Sequence, residues 1–343
     1  MLEEIRQQPV ALERTLAREQ RRVERLKALL AKRRPKLIVL AARGTSDNAA
    51  LFGRYLLEIA TGIPVSLAAP SIHTLYGSHI DYTDALVVAI SQSGESTDTN
   101  LVLERARESG AMTLGITNES SSSLARIAEH VLFVHAGKER SVAATKTYTG
   151  QVLVLYLLAY ALGAGLKMGD LHRIPELASL ALGLEPSVTA LAERYRFMRF
   201  AVVVGRGLNY SNAFEFALKM METCYVVAER FSSADFLHGP VAMVEPAFPI
   251  FAFCPSGPTW PALSGMLEKV RALKAEAVII SDPSNAQAFE GATRAIRLPR
   301  KIDELLTPIP YIIPAQIFAA CLAAQKGFDP DQPRTLSKVT LTL

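Results

Sequence analysis

The sequence predicts an α/β fold laid down twice, as two tandem subdomains that each hold a mainly parallel sheet flanked by helices. Two observations carry this. Short apolar runs that read as buried strands alternate with helix-periodic stretches. The strand–loop units then recur at a spacing that varies by one residue at most. LIVLAA (37–42) leads into RGTSDNAA and an apolar-periodic stretch to Glu58, and AVVVG (201–205) leads into RGLNYSNA (206–213) and a helix through Glu222. Gly44 and Gly207 stand 163 residues apart, as do Ser93 and Ser256 in the second strand–loop, ALVVAISQSGES (85–96) against PIFAFCPSGPT (249–259). The third strand, MTLGITN (112–118), matches AVIISD (277–282), with Asn118 and Asp282 separated by 164. Three units whose offsets agree to within one residue indicate duplication of a single α/β subdomain.

Around these copies the remaining segments fall into place. Residues 1–34, charged and Leu-spaced, read as an N-terminal helix that stops before Pro35. The first subdomain covers 35–165, a helical join 166–196, the second subdomain 197–328, and a tail 329–343. The chain has 343 residues, half of them hydrophobic and 20% charged, which suits a large core. A net charge of +4 without a clustered basic face argues against nucleic acid and suits a small anionic substrate. Cys224, Cys254 and Cys321 form no CxxC pair, so neither a metal site nor a disulfide framework is expected. The apolar run 152–166 is too short to span a bilayer, and with Glu3, Glu4 and Arg6 near the start no signal peptide is expected. A cytoplasmic setting is expected, with no membrane partner.

Ligands of open parallel sheets bind at the carboxyl ends of the strands. Two loops of the first copy lie there. SQSGES offers Ser91, Ser93 and Ser96, the amide of Gln92, and Gly94, which lets a ligand approach the backbone. It runs into a helix whose first N–H groups and dipole favour an anion. Thr45 and Ser46 stand on the adjacent loop. Serines before a helix also serve as simple caps, but this density of donors points to phosphate. The second copy reads CPSGPT, poorer in donors, so one working phosphate site per chain is expected. Neither GxxxxGK[ST] nor GxGxxG is present, which disfavours nucleotide cofactors.

Acid–base chemistry on a phosphorylated small substrate needs a base beside the reacting atom and a second proton carrier within reach. The helix predicted over 212–224 places Lys219 and Glu222 on one face at i, i+3. This pattern equally fits a surface ion pair. His238 precedes Gly239-Pro240 in a polar loop, FSSADFLHGPVA (231–242), and Lys338 sits in the tail, where a lysine is ordinarily solvated.

The motifs ARGTSDN (42–48), SQSGESTDT (91–99), SVAATKTYT (141–149), ALKMMETCY (217–225), LHGPVA (237–242) and DQPRTLSKVT (331–340), with LEEIRQQP (2–9), follow one order. In them the chain resembles the sugar isomerase (SIS) superfamily over nearly its whole length. It is similar to the isomerase half of glutamine–fructose-6-phosphate aminotransferases and, more closely, to stand-alone SIS-type glucosamine-6-phosphate deaminases. The resemblance implies two flavodoxin-like doubly wound subdomains. It implies a phosphate site at Thr45, Ser46, Ser91, Gln92, Ser93 and Ser96, and a sugar-contacting backbone around Val142. Glu222 is implied as the base that moves the C1/C2 proton, with Lys219 beside it. His238 is implied as the ring-opening group, reaching across from the neighbouring subunit of a homodimer with shared active sites. Lys338 is implied as a Schiff-base lysine.

The sequence departs from the aminotransferase pattern at Arg43, where that family has a cysteine, and at Ala144, where it has a serine. A glutaminase needs a nucleophilic cysteine at its N-terminus, whereas Leu2 follows Met1 and the first cysteine is Cys224. No glutaminase activity is therefore expected. The expected reaction converts glucosamine 6-phosphate to fructose 6-phosphate and ammonia, with no cofactor and no metal. The alternatives are an ammonia-dependent synthase, a related hexosamine or fructosamine phosphate isomerase, and a sugar-phosphate sensor.

Overall fold

In the computed structural model, residues 1–338 are described. The chain forms two compact units. One comprises residues 7–139 and 146–175 together with the tail from Ser337; the other comprises 1–6, 140–145 and 176–336.

The first unit is built on five strands, β1 (Leu37–Ala41), β2 (Val65–Leu67), β3 (Ala85–Ser91), β4 (Met112–Thr117) and β5 (His130–Phe133). They lie in the order β2-β1-β3-β4-β5, and every pairing is parallel. β3 is central and buried along its whole length. That is why its sequence is a continuous apolar run rather than an alternation. The helices Thr45–Thr61 and Thr97–Glu108 follow β1 and β3. The helix Lys146–Ala161 packs against both Gln8–Lys32 and Thr45–Thr61 and is buried on nearly every side, which accounts for the apolar run noted in the sequence.

The N-terminal stretch is not a single helix. It consists of Leu2–Arg6 and Gln8–Lys32, which belong to different units. Pro9 lies in the first turn of the longer helix, where its missing N–H costs nothing; inside one continuous helix it would break the ladder.

The second unit repeats the plan with β6 (Phe200–Gly205), β7 (Val227–Ser232), β8 (Pro249–Phe253), β9 (Glu276–Ser281) and β10 (Arg294–Arg297), all parallel, in the order β10-β9-β8-β6-β7. Its core includes edge-to-face contacts of Phe216 with Phe251 and Phe318. The helix Pro308–Gln325 is long and apolar enough to cross a membrane by length and composition, yet 89% of it is buried within the protein.

Both sheets have the 2-1-3-4-5 order of doubly wound folds, in which the strand order reverses between the first and third strands and opens a ligand crevice there. In the first unit the loops that flank this point are 42–44, after β1, and 92–96, after β3.

Candidate active site

The loop after β3 is fixed from inside. Gly94 has φ +67°, and a Cβ there would stand 2.5 Å from Ser122 Cβ, so only glycine fits. Its carbonyl accepts from Leu124 N (2.9 Å) and Asn100 Nδ2 (3.1 Å). Ser91 Oγ accepts from Gly94 N at 3.1 Å, and Ser93 Oγ from Glu95 N at 3.2 Å. Each hydroxyl thus uses a lone pair to hold the loop. The side chain of Gln92 makes no hydrogen bond among the described residues. Ser46 Oγ, buried, accepts from Gln151 Nε2 at 2.9 Å. Thr45 opens the helix Thr45–Thr61, directly after Gly44 at φ +55°.

Ser96 behaves differently. It stands at the N-cap of Thr97–Glu108, but its side chain caps no backbone N–H. Its Oγ meets Asp98 Oδ1 at 2.9 Å and Thr99 Oγ1 at 3.1 Å. Asp98 is 1% exposed, and its Oδ2 accepts from Arg43 Nε at 2.6 Å. Burial pushes the Asp98 carboxyl up, but hydrogen bonds from Arg43 and Ser96 outweigh it and leave the group below the ordinary carboxylate range.

In the second copy the chain supplies its own anion at the corresponding loop. Glu304 Oε1 accepts from Thr259 Oγ1 at 2.6 Å, and its Oε2 lies so close to Gly257 that a Cβ there would clash with it. Burial raises the Glu304 carboxyl, with the Thr259 hydrogen bonds acting in opposition. A carboxylate therefore lies where the donor-poor CPSGPT loop begins the next helix.

On the helix Tyr210–Cys224, Lys219 is fully buried. Its Nζ lies 2.6 Å from Glu222 Oε2 and 3.5 Å from Glu215 Oε1. Glu215 is fully buried, whereas the Glu222 side chain keeps 24% exposure. This is not a surface ion pair. One buried ammonium serves two carboxylates, and only Glu222 reaches solvent. His238 closes the short helix Ser233–Leu237, which Ser232 caps by accepting from Asp235 N. The His238 ring is exposed and has no side-chain partner among the described residues. Val142 donates its N–H to Asp331 O at 3.2 Å, leaving its carbonyl for other partners. In the first unit, Lys338 Nζ lies 3.5 Å from Glu139 Oε2, whose carboxylate is buried and also accepts from Thr147 N and Oγ1.

The structure thus holds the predicted phosphate residues together with Lys338 in one unit, and Lys219, Glu222, His238 and Val142 in the other. Sequence reasoning passed over Glu215, Asp98 and Glu139. Glu215 was detectable, because it stands four residues before Lys219 on the same helical face. Asp98 and Glu139 also have partners nearby, but the cations they meet, Arg43 and Lys338, lie far along the chain. Among the described residues no cluster of His, Cys, Asp or Glu could hold a metal ion.

A duplicated 2-1-3-4-5 fold with a serine-rich loop at one switch point defines a doubly wound α/β module present in two copies. The chain belongs to the SIS-domain family, whose pattern matches residues 30–161 and 199–326. It is 37% identical over 345 residues to a glutamine–fructose-6-phosphate aminotransferase (isomerizing) of Pyrococcus horikoshii, covering 98% of this chain and 57% of that protein. The chain thus spans little more than half the length of such relatives. Among solved structures, the C-terminal domain of glucosamine-fructose-6-phosphate aminotransferase from Francisella tularensis superposes with a TM-score of 0.88 at 28% identity, covering 97% of this chain and 98% of that domain. A protein of Silicibacter pomeroyi described as a phosphosugar isomerase superposes at 0.86 with 31% identity, covering 96% and 99%.

Proposed function

We propose that the protein is an amino-sugar phosphate isomerase that deaminates glucosamine 6-phosphate to fructose 6-phosphate and ammonia. The observation that carries this reading is the state of Glu222: a carboxylate open to solvent on one side and charge-paired on the other with a fully buried lysine. A positioned carboxylate of this kind can take a proton from carbon without leaving the fold.

In the proposed reaction the phosphate rests on the side chains of Ser91, Gln92 and Ser93 with Thr45 and Ser46, and on the loop backbone at Ser96. His238 of a neighbouring subunit in a homodimer assists ring opening. Glu222 takes the C2 proton of the open-chain aldehyde and a proton is returned to C1, which turns the C2 amine into an imine. Water hydrolyses the imine, releasing ammonia and leaving the ketose. Lys219 donates to Glu222 and orients its carboxylate. Lys338, beside Glu139, is placed here as the amine that engages the ketose carbonyl, with the backbone at Val142 against the sugar.

Supporting this reading are the family, the relatives named as isomerizing aminotransferases and the neighbour described as a phosphosugar isomerase. The relatives' names favour a second reading, the same chemistry run toward the amino sugar with ammonia supplied. The purified protein, incubated with a panel of hexosamine 6-phosphates, should release ammonia and ketose 6-phosphate in equal amounts from one of them. Tight binding with neither product would point to a sensor. Amino-sugar formation from fructose 6-phosphate and ammonium, without the reverse, would favour the synthetic direction.

A further inference from the structure

The two loops proposed to hold phosphate are rich in neutral donors and poor in positive charge. Across residues 42–48 and 91–99, Arg43 is the sole cation, while Asp47, Glu95 and Asp98 are acidic. A phosphate dianion placed there on hydroxyls alone would face an uncompensated negative field. Glu95 is turned to Ser123, whose N and Oγ it binds at 2.9 and 2.7 Å. Asp98 cannot turn away, because it is buried at the base of the loop.

The way Asp98 is satisfied bears on this. Its Oδ1 takes Ser96 Oγ and Thr99 N, and its Oδ2 takes Arg43 Nε at 2.6 Å. The guanidinium is therefore gripped by one edge only. Both Nη groups make no hydrogen bond among the described residues, and the Arg43 side chain keeps 51% exposure. A guanidinium held this way is oriented in advance, and its planar fork of donors matches phosphate oxygens. Ser96 donates its one hydroxyl hydrogen to Asp98 in this arrangement, so the same carboxylate that orients Arg43 also occupies a loop hydroxyl. An ion pair serving only to tie two helix starts together would leave the phosphate without a cation.

Resting on the phosphate-site reading above, we infer that Arg43 is a specificity-determining residue that supplies the positive charge for the substrate's phosphate. Asp98 is its positioning residue, fixing the guanidinium through Nε and linking it to Ser96. The pair sets the preference for a phosphorylated over an unphosphorylated sugar.

The test is calorimetric binding of glucosamine 6-phosphate, glucosamine and inorganic phosphate to wild type, Arg43→Gln, Arg43→Lys, Asp98→Asn and Ser93→Ala, with circular dichroism to establish folding. Losing a charge-assisted hydrogen bond should weaken Arg43→Gln binding of both phosphate ligands by about tenfold or more, with glucosamine scarcely altered. In turnover the loss should fall on KM more than on kcat. Arg43→Lys should recover part of the affinity, and it carries the test if the glutamine variant does not fold. Asp98→Asn should weaken phosphate binding less than Arg43→Gln does. The inference is overturned if Arg43→Gln binds phosphate like wild type while Ser93→Ala is weakened; the phosphate loop then stands and Arg43 is only a clamp. It is also overturned if Arg43→Gln loses glucosamine and glucosamine 6-phosphate equally, or if folded Arg43→Lys is as weak as Arg43→Gln. Wild type that binds none of the phosphate ligands removes the phosphate-site reading together with this one.

Discussion

Replacing Glu222 with glutamine keeps the side chain's shape and removes its basic oxygen. What this does to the fold follows from the charges around it. Lys219 Nζ loses its partner at 2.6 Å but keeps Glu215 Oε1 at 3.5 Å, so the buried ammonium is never left alone. With that carboxylate and the new amide oxygen still facing the ammonium, Glu222→Gln should lower the thermal midpoint less than removal of the lysine does. Lys219→Met is the contrasting change. It strips the cation from both carboxylates, one of them fully buried, and breaking such a pair costs about 3–5 kcal/mol. Activity should respond in the opposite proportion. General acid–base catalysis contributes about 10²–10⁴-fold, or roughly 3–5 kcal/mol of barrier at 1.36 kcal/mol per decade. Glu222→Gln should therefore lose at least about a hundredfold in kcat while remaining folded and still binding the 6-phosphate. The assay pairs ammonia release and ketose 6-phosphate formation with thermal unfolding, and wild type run in deuterium oxide should place deuterium at C1 of the ketose. The reasoning fails if Glu222→Gln turns over at a rate close to wild type, or if its lost activity merely follows the fraction unfolded.

Four further outcomes are expected. Ser91→Ala combined with Ser93→Ala should raise KM for the 6-phosphate strongly, since two donors to a dianion worth about 1.5–3 kcal/mol each are lost; an unchanged KM removes the loop from the site. Gly94→Ala should destabilise the first unit by about 1–3 kcal/mol, because the new Cβ meets Ser122 and the backbone stays at positive φ, and a normal melting curve would contradict the observed packing. Mixed Glu222→Gln and His238→Asn subunits should regain part of the activity if His238 completes a neighbour's site, and no recovery in a demonstrated heterodimer would mean each chain builds its own. Asp98 is held below the ordinary carboxylate range, so its stabilisation is present above that range and is lost as pH falls through the folded-state value. The midpoint of wild type should therefore drop faster than that of Asp98→Asn on acidification, and parallel curves would refute the sign.

Much of this was legible in the sequence because it is local. The central strands announce themselves as unbroken apolar runs, and a strand buried on both faces can hardly read otherwise. Duplication shows because insertions would have disturbed the register of Gly44 with Gly207 and Ser93 with Ser256. The facing of Lys219 and Glu222 follows from helical periodicity, as does Glu215, once looked for. Gly94 before a helix start marks a tight loop, and the serines around it are in plain view.

What only the tertiary structure decided concerns charge. Periodicity puts Lys219 beside Glu222 but does not say whether water surrounds the pair, and burial turned an ordinary surface motif into a lysine serving two carboxylates. Arg43 and Asp98 are 55 positions apart and meet because β1 and β3 are neighbours in the sheet. Lys338 reaches Glu139 across most of the chain, and Glu304 fills a loop 45 positions before it. The division into units, with residues 1–6 and 7–32 parted at the turn before Pro9, also came only from packing. Strand and helix patterns are written in the chain because each residue's neighbours along it dictate them; the partners of a buried charge are chosen by desolvation, which acts only after the sheet has brought distant segments together.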